Sequence, residues 1–298
     1  MNVLLLFQIF SEKIYPSRDE MLYPVIDICK SSQTSETRAF HGFGIKSIEP
    51  YTFSCLMNVK ELSLEFNNIK LLRKDTFQGL NNLEALYLIF NSIESIEPFA
   101  FNGLNKVEVL NLKLNNIKHI KKHTFIGLDN LEELDLTISR IESIDPHSFS
   151  SLSQLKILSL RRNKIKRILS ETFMGLYNLE ALDLTGNEIV TIDPNAFASL
   201  NRLRTLKLGG NNIKHLSKSS LNGLNNLRII YLLDNVIKSS KPHTFDSFKK
   251  LDIVGSNGIK RDIRINNNNT LDLNDTIASR IRDRREFKNK KKEIKRLK

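Results

Sequence analysis

Histidine pairs and two cysteines are the only residues whose type and spacing suggest covalent or metal chemistry. The chain has six histidines and two cysteines, Cys29 and Cys55. His123 and His147 lie 24 residues apart, as do no other two histidines in sequence order, while His119 and His215 lie 96 apart. A zinc ion needs three or four nitrogen, sulfur or carboxylate ligands, so a histidine pair alone makes a weak site. The expectation is no metal site and no cofactor. No HExxH, CxxC, glycine-rich phosphate loop or nucleophile motif occurs. The expectation is therefore that the protein is not an enzyme.

The spacing of 24 belongs to the whole chain. The stretch LEALDLTGNEIVTIDPNAFASL, Leu179 to Leu200, has apolar residues at Leu179, Leu182, Leu184, Ile189, Ile192, Phe197 and Leu200. Neither a helical period nor a strand period fits it. Shifted by 24 residues, the chain matches itself from Val59 to Lys250, which makes eight units without insertion. A phenylalanine column runs through Phe77, Phe101, Phe125, Phe149, Phe173, Phe197 and Phe245, broken once by Leu221. An asparagine column runs from Asn67 to Asn235, with Ser139 in the fourth unit.

One unit cannot bury its own leucines, but stacked units can. Leu182-Asp183-Leu184 alternates as a short strand does, and Asn187 follows to turn the chain and satisfy its backbone. The reading predicts eight parallel strands of two to four residues between Leu62 and Leu232, with the phenylalanines inside. Ser139 should leave one turn group without a partner.

The string L-x-x-L-x-L-x-x-N-x-I-x-x-I-x-P-x-x-F-x-x-L at Leu179 to Leu200 resembles the leucine-rich repeat, in the 24-residue class of animal extracellular proteins such as Toll-like receptors, Slit proteins, chaoptin and the acid-labile subunit. The resemblance implies an α/β solenoid, a curved horseshoe with a parallel β-sheet on its concave face. It also implies a receptor-like or secreted protein-binding module, with a cytoplasmic location as the alternative. Relatives outside the cell usually carry cysteine-rich caps at both ends. Here Cys29 and Cys55 suit an N-terminal cap disulfide, or else two unpaired thiols, and no cysteine follows Cys55.

The expected organisation is a leader or flank over 1–28, a cap with an incomplete repeat over 29–58, eight repeats over 59–250, a degenerate end over 251–274 and a basic tail over 275–298. Val3 to Phe10 reads as the core of a short leader, or as an apolar flap on the cap. No run of 18 apolar residues occurs. Two glycosylation sequons, at Asn268 and Asn274, fall in the degenerate end. Ser279 to Lys298 holds eleven Lys or Arg against three acids, +8 of the chain's +12. Such a tail is either a solvated segment or a contact for acidic polymers or membrane headgroups; no specific nucleic-acid partner is indicated.

A 48-residue period lies inside the first. Proline occurs in alternate units, at Pro98, Pro146, Pro194 and Pro242. Lys70, Glu94, Lys118, Glu142 and Lys166 alternate in sign at one position, which predicts a ladder of ion pairs.

What remains is surface. Positions that point away from the core should be polar. Phe66, Phe90, Leu114 and Ile138 break that rule in one column, with Tyr87 and Ile89 beside them. The expected partner site is this apolar stripe on the sheet face, rimmed by Glu84, Glu108, Glu132 and Asp135. The alternative is a column that curls under the turn and packs locally.

Overall fold

The structure, a computed structural model, describes residues 35–237, 239–240, 244–245, 248 and 251–254. The expected leader, Cys29, both sequons and the basic tail lie outside the described residues. Ten parallel strands form one sheet in chain order. Eight of them, from Glu61–Ser63 to Ile229–Tyr231, are the predicted ones, each of three residues. Their register steps by 24, Leu62 to Leu86 to Leu110 and onward to Ile230.

Two strands extend the sheet beyond the regular repeats. Thr37–Ala39 pairs with Glu61–Ser63 and puts Arg38 opposite Leu62. A half-buried polar residue, Arg38, thus takes the leucine position in this first strand. At the other end Asp252–Val254 pairs with Ile229–Tyr231, and Ile253 follows Ile230 by 23 residues rather than 24. The segment expected to be degenerate from residue 251 therefore opens with a further strand of the sheet.

The core is a set of repeated columns. Each strand sends its leucines inward, and Leu62, Leu64, Leu86, Leu88, Leu134 and Leu136 are fully buried. On the far side Phe53, Phe77, Phe101, Phe125, Phe149, Phe173 and Phe197 stack with ring centroids 5.6–6.3 Å apart and planes within 12°. Strands in a sheet lie ~4.8 Å apart. The longer step on the phenylalanine side curves the stack, with the sheet on the inside. Turns make up the outer side among the described residues, with one 3-10 helix at Lys218–Leu221, in the unit where Leu221 replaces phenylalanine.

Asparagine closes each turn. Asn91 Nδ2 donates to the carbonyls of Leu64, one unit back, and of Leu88, in its own unit. Its Oδ1 accepts the Ile69 N–H. Asn115, Asn163, Asn187 and Asn211 repeat the pattern. At Ser139 only part survives: its Oγ donates to the Leu112 carbonyl at 3.0 Å. The Ile117 N–H, which an asparagine there would meet, has no hydrogen-bond partner among the described residues, whereas the Ile93 and Ile141 N–H groups each have one.

The 48-residue period acts on the backbone rather than through ion pairs. Two-residue strands on one flank pair only within odd–even couples. They are Leu71–Leu72 with Ser95–Ile96, His119–Ile120 with Ser143–Ile144, Arg167–Ile168 with Thr191–Ile192, and His215–Leu216 with Ser239–Ser240. In even units the residue before proline donates its N–H to the previous unit, as Glu97 does to Leu72 and Asp145 to Ile120, both at 2.9 Å. In odd units the same N–H turns inward to its own unit, Lys121 to Thr124 Oγ1 and Ser217 to Ser220 Oγ. Proline has no N–H to place. Odd units do have one there, and the next unit's acid accepts it: Glu97 from Lys74 at 2.9 Å and Asp145 from Lys122 at 3.3 Å. The expected charge ladder is not made. Among the described residues Lys70, Glu94, Lys118 and Glu142 form no ion pair within 4.0 Å, and Lys166 meets Glu188 instead, at 4.0 Å. These long side chains are exposed, and fixing them costs entropy that a solvated pair does not return.

Candidate functional site

The stripe column sits three residues past the end of each strand, where the chain turns. In all eight units this residue has a positive φ, from 52° at Asp234 to 72° at Gly186. The turn towards asparagine requires it. Glycine meets that need freely, as Gly186 and Gly210 do. Phe66, Phe90, Leu114 and Ile138 meet it at φ 55–59°, where a side chain costs roughly 1–2 kcal/mol and a β-branched one is a genuine outlier.

The backbone holds these residues one per rung. Phe66 N–H donates to the Ile89 carbonyl, Phe90 to Lys113, Leu114 to Thr137 and Ile138 to Arg161, all at 2.9–3.0 Å. Phe66 is 56% exposed and Phe90 54%. Their rings lie 5.4 Å apart at 34°. Leu114, Ile138, Tyr87 and Ile89 are half-buried. The two phenylalanines do not curl under the turn; they stand out from it and touch each other.

The expected rim is not assembled. Glu84, Glu108 and Glu132 precede their strands, and their N–H groups donate to Lys60, Glu84 and Glu108 one unit back. Phe90 follows Glu84 by six residues, roughly 20 Å along a strand. These acids line the opposite edge of the sheet face. There Lys60 meets Glu36 at 3.2 Å and Lys156 meets Glu132 at 2.5 Å. The Lys60 ammonium is held above its usual range, first by the hydrogen bond to Glu36 and then by the charges of Glu36 and Glu84. Asp135 ends its strand and accepts the Thr137 N–H at 2.8 Å.

The acids beside the aromatic residues are others. The Tyr87 phenol is pushed up from its usual value, chiefly by burial and then by Glu61, Glu65 and Glu133. Glu61 and Glu133 start their strands, in register with Ala85. Alternation along the strand, two residues from Ser63 in each direction, was the signal for Glu61 and Glu65.

Over the first four units, the segments from Lys60 to Phe66 and their equivalents hold seven carboxylates and two lysines, a net of −5. The next four hold six basic residues and three acids, a net of +3. The apolar stripe thus lies on the acidic half of the face.

The described histidines gather at no common centre. His119 Nδ1 lies 2.8 Å from Ser143 Oγ, and His147 Nε2 lies 3.2 Å from Glu171. Among the described residues, no three His, Cys, Asp or Glu side chains gather as metal ligands. Cys55 is disulfide-bonded; Cys29 lies outside the described residues. No helix among the described residues is long and apolar enough to cross a membrane.

A stack of 24-residue turns with one parallel sheet and asparagine-closed corners defines a class, and the comparisons agree. The Leucine rich repeat family matches residues 41–93, 81–138, 129–189, 167–213 and 201–255, and the chain belongs to that family. No curated protein matches the chain. Among solved structures, one of a TLR13–ssRNA13 complex is similar, with 27% identity and a TM-score of 0.70, covering 78% of this chain and 35% of that one. The Toll–Spatzle complex, from Drosophila, is similar in fold, with 21% identity and a TM-score of 0.65, covering 71% of this chain and 28% of that one. The chain thus spans about a third of each of these chains.

Proposed function

We propose that this leucine-rich-repeat chain is a non-enzymatic, receptor-like binding module that takes a protein ligand on the first four units of its sheet face, outside the cell. The observation that carries this is the exposed pair Phe66 and Phe90, kept at a backbone conformation that glycine would occupy more cheaply. Buried aromatic anchors dominate the energy of many interfaces. The similar structures support ligand binding in general: one is a complex with ssRNA and the other with Spatzle. A Cys29–Cys55 bridge locking the cap fits the same reading.

A photoreactive residue in place of Tyr87 should cross-link to ligand in a binding mixture, and one in place of Tyr177, exposed in a turn outside the first four units, should not. Cross-linking from Tyr177 alone sinks the reading. The second reading, a matrix or scaffold protein anchored to acidic polymers or membrane through its basic tail, rests on the +8 of residues 279–298. It predicts capture that is lost when the tail is removed and unaffected by changes at Phe66 and Phe90.

A further inference from the structure

We infer that the basic tail, residues 279–298, docks in the same molecule on the acidic, aromatic half of the sheet face and occupies the ligand site. The inference rests on reading that face as a binding surface.

Charge complementarity comes first. The tail carries +8 and the first four units of the face −5, while the other half of the face is itself positive and repels it. Glu61, Glu84, Glu108 and Glu133 have no ion-pair partner within 4.0 Å among the described residues. Shape comes second. An inward-curved sheet accepts one extended segment, whereas two such faces from two copies meet only at their rims. Chemistry comes third. Phe287 lies in the run RDRREFKNKKK, an apolar ring among cations. The exposed Phe66 and Phe90 rings offer it a stacking partner, and Arg guanidinium groups also favour aromatic faces.

Reach allows it. The last described strand, Asp252–Val254, lies seven strand steps from Ala85–Tyr87, roughly 34 Å along the sheet. The 24 residues from 255 to 278 span up to ~80 Å extended and roughly 25–30 Å as a flexible coil. The tail therefore meets the face at the high local concentration of a tethered ligand. An external ligand must displace it.

The chain has no tryptophan, so Phe287→Trp in the full chain gives one fluorophore that reports on the tail. At low salt its emission should be blue-shifted and protected from a soluble quencher, independently of protein concentration. The shift should be lost in ~1 M salt, where the Debye length is about 3 Å. It should also be lost with Phe66→Ser and Phe90→Ser, and weakened with Glu61→Gln and Glu133→Gln should the serine pair unfold the protein. A solvent-exposed spectrum at low salt overturns the inference. So does a blue shift that the face variants leave unchanged, which places the tail elsewhere, or one that grows with concentration, which places it on a second copy. Ligand cross-linking from Tyr87 that persists in any of these cases shows that the face reading stands and only the tail assignment fails.

Discussion

At the scale of single residues, two positions show the same turn made well and badly. Ser139 is fully buried and leaves the Ile117 N–H unmet. The Arg140 backbone, at φ 61°, shows that this turn has adjusted to the shorter side chain. Ser139→Asn should restore the missing bond and stabilise the fold by up to about 1 kcal/mol, the net value of one hydrogen bond. Thermal melting checks it, and an unchanged or lower midpoint contradicts the role given to asparagine. Arg162 is exposed at φ 53° in the stripe column, with glycine at the equivalent place in the next two units. Arg162→Gly should therefore stabilise by up to ~1 kcal/mol through relief of backbone strain. Destabilisation would mean that the turn does not strain its residue, and the argument from Phe66 and Phe90 would weaken with it. The sequence showed which residue filled each column. It did not show the positive φ of the stripe, because only Gly186 and Gly210 advertise that conformation and the other six units hide it.

Alternation between neighbouring units shows again in the glycine before the last leucine of odd units. A Cβ on Gly127 would lie 2.6 Å from the Phe101 carbonyl oxygen, and one on Gly79 would lie 2.5 Å from Ser54 Cα. On Gly103, in an even unit, the nearest atom is the end of the Gln78 side chain at 3.2 Å. Even units elsewhere carry Ser151 and Ser199 at this place. Gly127→Ala should cost roughly 2–4 kcal/mol from the clash together with a φ of 96°. Gly103→Ala should cost less, mostly strain. Comparing the two denaturation midpoints checks the claim, and equal losses contradict it. The 48-residue period was legible in the prolines, yet its purpose was not. Charge alternation is visible in a string of letters, whereas the destination of a backbone N–H is not. Proline and the acid before it are one device: the first removes a donor, and the second accepts the donor left in the unit before.

Taken as a whole molecule, the solenoid was readable because its period repeats eight times, and each repetition tests the last. The strands, the inward phenylalanines and the parallel order follow from that period alone. The face was only partly readable. Residues expected side by side, such as Phe90 and Glu84, lie at opposite edges of the sheet, since distance along a strand grows with every residue. What the fold does is set an acidic, aromatic half beside a basic half on one curved surface. The most direct test of that surface as the binding site is the affinity of the full chain for its cross-linked ligand, with Phe66→Ser and Phe90→Ser together and thermal melting measured alongside. The account predicts near-native melting, since both rings are more than half exposed, and a loss of several kcal/mol in binding, at ~2–4 kcal/mol for each aromatic anchor. A double variant that melts like the parent and binds its ligand undiminished would contradict it.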